Sequence, residues 1–112
     1  GNERKRVMFQ LQILDTLITK DRWRENKVAY LVRCHAIGGD LPTYGGPVRV
    51  YGAGQRTVKC IMYYIHQYIP DMDPGPRDEA TYVLYLTPGE EIFAGMMISD
   101  IPPDELEDHI GK

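Results

Sequence analysis

A chain of 112 residues with an ordinary share of apolar side chains has room for one domain around one core. Its formal charge of −3 hides a polarity: residues 1–70 hold eleven Lys and Arg against five Asp and Glu, whereas residues 71–112 hold two against eleven. No apolar run approaches the ~18 residues of a membrane-spanning helix, and two cysteines are too few for a disulfide framework.

The opening segment, Gly1 to Arg6, is charged and carries no apolar signal stretch. Cys34 and Cys60 each sit in an apolar pattern, as buried thiols do in a reducing compartment, so a cytoplasmic location is expected. Residues 6–14 alternate, with Val7, Phe9, Leu11 and Ile13 toward a core and Gln10 and Gln12 outward, which predicts a first strand. Residues 15–26 read as a polar connection. Residues 27–37 predict a second strand, with Val28, Tyr30, Val32 and Cys34 on one face. A glycine- and proline-rich turn spans 38–47, and 48–51 is a short third strand.

The glycine turn Gly52-Ala53-Gly54 then opens a segment in which Val58, Ile61, Met62, Ile65 and Ile69 recur at helical spacing. This predicts one amphipathic helix stopped by Pro70. Residues 71–80 read as an acidic loop. Residues 81–87 and 91–99 predict a hairpin around Pro88-Gly89, a pair suited to a type II turn. Gly95 marks a bulge or a close approach within the last strand. The expected fold class is therefore α+β: a mostly antiparallel sheet of about five strands, in the order β-β-β-α-β-β, with the helix packed across one face. The chain reads as one domain, 1–112, with 100–112 as an acidic C-terminal tail.

The function expected from this pattern is a small non-catalytic protein-binding domain. Its concrete form is an acidic immunity or antagonist protein that covers a basic partner. Tyr44 supplies an aromatic contact, and Asp71, Asp73, Asp104, Glu105, Glu107 and Asp108 supply the charge. One alternative is a nucleic-acid-binding domain using Arg22, Trp23, Arg24 and Lys27, since a tryptophan among arginines can stack on bases. A second alternative is an anion- or nucleotide-binding domain, or an enzyme, at the helix start. Gly54 would serve as N-cap and leave the backbone N–H groups of Gln55, Arg56 and Thr57 free, and Arg56 and Lys59 would offer charge.

Cys34 or Cys60 could be combined with His35 or His66 into a nucleophile–base pair, but nothing in their spacing brings them together. No Cys-x-x-Cys or His-x-x-x-His spacing occurs. Catalytic residues, cofactors and metal ligands are accordingly not expected. Homodimerisation through a sheet edge is compatible with every reading.

Trp23 through Ile69, with strand residues Tyr30 to Cys34, then Tyr51-Gly52 and an apolar helix, resembles a small uncharacterised bacterial domain family. That family also places a glycine and a polar pair just before its helix. The chain departs from it in Gln55-Arg56-Thr57 and in the C-terminal hairpin and tail. The resemblance implies a compact α+β domain and carries over no functional residue.

Overall fold

Period-two alternation, and not a helical stripe, organises the chain from Val58 to Tyr64. Val58, Cys60 and Met62 are buried, whereas Lys59 and Ile61 are exposed. Val58 and Met62 satisfy both spacings, and Ile61, apolar but outward-facing, completes the helical one, so periodicity alone does not separate the two in a run this short. Composition and tertiary partners do. Val58, Ile61, Tyr63 and Tyr64 are β-branched or aromatic, which favours a pleated surface. A strand on either side also takes up the segment's backbone hydrogen bonds.

The computed structural model describes residues 9–24, 26–43, 45–65 and 78–100, and for 20–24 the backbone path alone. The strands are β1 (Phe9–Arg24), β2 (Lys27–Gly39), β3 (Gly46–Tyr51), β4 (Val58–Tyr64), β5 (Glu79–Leu86) and β6 (Met97–Ser99). They close into a six-stranded antiparallel barrel in the order β1-β2-β5-β4-β3-β6. No α-helix occurs among the described residues. The fold is thus all-β, which corrects the expected α+β sheet with a crossing helix. It equally corrects the α+β domain implied by the resemblance, whose helix coincides with β4. Ile69, at the end of the predicted helix, lies outside the described residues.

Two further features differ from expectation. Residues 15–24 are not a polar connection but the continuation of β1, paired with β2. The cause is a bulge at Leu14: Ile13 pairs with Cys34 and Asp15 with Arg33, so the inward positions change parity. Apolar alternation read from Phe9 therefore breaks at Leu14 although the strand does not. Asn26, with φ of 62°, closes the turn into β2, a conformation that asparagine tolerates.

Nor do residues 81–87 and 91–99 pair with each other. β5 lies between β2 and β4, and β6 lies between β1 and β3. β3 to β6 thereby form a Greek key, with β6 returning beside β3. The Pro88-Gly89 turn itself is present: the Glu90 N–H donates to the Thr87 carbonyl at 3.0 Å and Gly89 has φ of 97°. At Gly95, φ 94°, two residues oppose one. The Gly95 N–H donates to the Ile13 carbonyl at 2.7 Å, and the Ile13 N–H donates to the Met96 carbonyl at 2.8 Å.

The barrel interior is filled by alternate residues of all six strands, among them Leu11, Val32, Val50, Met62, Leu84 and Ile98. Cys34 and Cys60 lie in this core, and neither is in a disulfide. A second apolar cluster sits on the outer wall, where Ala29, Val83 and Tyr85 gather with Ile65, and Leu31 and Tyr63 pack against them. β5 is consequently buried on both faces over most of its length. No helix of the described residues is long and apolar enough to cross a membrane.

A cationic cleft on the barrel wall

The register of β2, β5, β4 and β3 sorts their outward side chains into rows. Pro47 pairs with Ile61, Ile61 with Tyr85, and Tyr85 with Ala29, which makes one continuous apolar row across four strands. Two residues farther along, Arg49 pairs with Lys59. Beyond them Lys27 Nζ donates to Thr87 Oγ1 at 3.1 Å, which brings a third cation to the same end of the wall. On the other side of the apolar row Tyr63 pairs with Val83. A cleft of about 380 Å³ opens over these rows, lined by Lys27, Pro47, Arg49, Lys59, Cys60, Ile61, Tyr63 and Tyr85.

The cations are placed by alternation. Val48 and Val50 are buried in the core, so Arg49 between them faces outward; Lys59 stands likewise between Val58 and Cys60. Directly opposed like charges on neighbouring strands destabilise a sheet. Arg49 is partly buried, its Nη1 donating to the Val48 carbonyl at 3.2 Å, while its Nε is buried without a hydrogen-bond partner. Neither Arg49 nor Lys59 forms an ion pair with a carboxylate among the described residues. Arg33, by contrast, pairs with Asp15 at 2.8 Å and with Glu79 at 2.5 Å, and these bonds raise its already high pKa.

The aromatic wall is set by a glycine. A Cβ on Gly45 would lie 2.5 Å from Tyr63 Cδ1, so the ring rests where only glycine leaves room. Tyr63 in turn meets Tyr85 edge to face, with ring centroids 5.9 Å apart and an interplanar angle of 76°.

The sequence-predicted residues distribute unevenly over this geometry. Lys27, from the nucleic-acid reading, and Lys59, from the anion reading, come together at the cleft. Arg22, Trp23 and Arg24 are the last residues of β1, and Arg24 pairs with Lys27 across the hairpin tip. Gly54, Gln55, Arg56 and Thr57 form an exposed turn, in which Gly54 has φ of 75° and the Gln55 N–H donates to the Gly52 carbonyl at 3.0 Å. With β4 following, that turn has no helix dipole behind it. Gln55 and Arg56 line a separate cleft of about 200 Å³ together with Glu90 and Glu91. Tyr44, Asp71, Asp73, Asp104, Glu105, Glu107 and Asp108 lie outside the described residues, as does His66.

Pro47, Arg49, Ile61 and Tyr85 are cleft residues that sequence reasoning placed at no site. The signal for Arg49 was present, a lone cation alternating with valines in β3. Tyr85 could not be separated from its buried neighbours Leu84 and Leu86 without knowing that both faces of β5 are covered.

The remaining chemistry is quiet. Burial pushes the Cys34 and Cys60 thiols up to about 12, so neither is a thiolate near neutral pH. His35 faces away from adjacent Cys34, its Nε2 3.1 Å from Gln12 Oε1. No group of three or more His, Cys, Asp or Glu among the described residues is placed to hold a metal ion. Comparison with protein-family models, with curated proteins and with solved structures found no match to this chain.

Proposed function

We propose that this barrel is a non-catalytic binding domain whose recognition surface is the cationic cleft, and that its partner presents anionic groups to Lys27, Arg49 and Lys59. One observation carries the reading: Arg49 and Lys59 are directly opposed on β3 and β4 with no carboxylate paired to either among the described residues. Such an arrangement costs stability in the unliganded fold and is offset when an anion binds between the two. The acidic-antagonist expectation uses a partner of opposite charge and residues that lie outside the described ones.

The test joins stability to binding. Lys59→Thr removes the repulsion and keeps a residue suited to a strand. It should stabilise the fold by about 0.2–1 kcal/mol while weakening retention on a heparin column at low salt. Wild-type protein should be retained although its net charge is −3. A variant that is less stable, or that is retained as strongly as the wild type, would remove the cleft as the recognition surface.

A further inference from the structure

We infer that the anionic partner is a single-stranded nucleic acid, with a base seated on the aromatic side of the cleft and phosphates along its cationic end. This rests on the anion-binding reading above and adds the class of ligand. The cleft pairs two chemistries at fixed register. Arg49, Lys59 and Lys27 hold one end, while Ile61, Tyr85 and Tyr63 supply an apolar, aromatic floor beside them. An inorganic anion uses only the first. A nucleotide unit uses both, since its base offers a π-face and its phosphate a charge. The volume of about 380 Å³ is at the lower end of the range for small-ligand sites and is sized for a unit, not for a duplex.

Spacing favours a strand over a mononucleotide. Lys27 is on β2 and Arg49 on β3, three strand spacings apart in the order β2-β5-β4-β3, about 14 Å. One phosphate at the Arg49–Lys59 pair leaves Lys27 without an anion, whereas a chain supplies a further phosphate to it. The β1–β2 tip continues from Lys27, and the last residues of β1 there are Arg22, Trp23 and Arg24. A chain leaving the cleft past Lys27 therefore runs toward the most cationic stretch of the hairpin.

The experiment is fluorescence anisotropy at several salt concentrations. The probes are a labelled single-stranded oligonucleotide of about 15 residues, the matching duplex, inorganic polyphosphate, and a nucleoside monophosphate and triphosphate as competitors. The expected result is tightest binding to the single strand, with a slope of log affinity against log salt of about −1.4 for two phosphates, one between Arg49 and Lys59 and one at Lys27. Lys59→Ala should weaken oligonucleotide and polyphosphate alike and make that slope shallower. Tyr63→Leu, which keeps the wall apolar but removes the ring, should weaken the oligonucleotide by about 5- to 100-fold and leave polyphosphate unchanged. Tyr63→Phe keeps the ring and should bind as the wild type does.

Equal affinity for polyphosphate and oligonucleotide, both untouched by Tyr63→Leu, would overturn the nucleic-acid inference and leave the anion reading standing. Binding to none of the probes would overturn both. Preference for the duplex, or displacement by the monophosphate at oligonucleotide-like affinity, would overturn the single-strand assignment.

Discussion

The hydroxyl of Tyr82, at the centre of the barrel, donates a 2.7 Å hydrogen bond to the carbonyl of Pro42 in the connection between β2 and β3. Tyr82 is fully buried, and its ring also lies 5.7 Å from that of Tyr64 on β4. One side chain thus ties a glycine-rich connection to the core, and burial raises its pKa well above the usual phenol range. Tyr82→Phe keeps the ring and strands the Pro42 carbonyl. The fold should lose about 1–3 kcal/mol, read as a lower denaturant midpoint at unchanged slope. An unaltered midpoint would show that the bond is replaced by solvent.

Gly45 governs the cleft from beneath Tyr63. In Gly45→Ala the new methyl would meet ring carbons at 2.5 and 2.8 Å, and the Met62 carbonyl at 3.3 Å, so the ring must move. A cost of about 1–3 kcal/mol is expected for the overpacking, with a changed near-ultraviolet circular dichroism signal. Tyr63→Ala in the same chain should recover part of that loss, because the clash and its cause are coupled. Additive effects of the two substitutions would show that Gly45 acts through something other than the ring.

Stability should fall in alkali. Both thiols have folded-state values raised by burial from 9.0 to about 12. A group whose folded value is raised contributes stability below its unfolded value and loses it as pH climbs toward the folded one. The window is therefore pH 9 to about 12, with a loss of order 1 kcal/mol per thiol by pH 10. Denaturant unfolding at pH 8 and pH 10 measures it. Cys34→Ala should lower stability at both values but reduce the difference between them, and an undiminished difference would place the alkaline loss in other groups.

Several features of the barrel were legible in the residues alone. Phe9, Leu11 and Ile13 alternate with Gln10 and Gln12, and Tyr30, Val32 and Cys34 with Leu31 and Arg33; these are the inward and outward sets of β1 and β2. The turn at Pro88-Gly89 and the bulge at Gly95 follow from glycine's access to positive φ. The extension of β1 past Leu14 was hidden because a bulge shifts parity without ending a strand. The nature of β4 was hidden because Val58 and Met62 fit both periods while Ile61, apolar but outward-facing, completes the helical one, and only the neighbouring strands choose between them.

The candidate site shows the same division. Sequence by itself determined which residues carry charge and aromatic rings, and alternation with Val48 and Val50 turns Arg49 away from the core, whereas the outward direction of Lys59 follows only once its segment is a strand. What it could not determine is that they oppose each other, or that Lys27, 32 positions before Lys59 in the chain, shares their cleft. That juxtaposition depends on β5 entering between β2 and β4 and on the register of each pairing. Register is a property of two strands together. It is settled by which side chains fill the closed interior, and the outward rows then follow from the inward ones because each strand has only two faces.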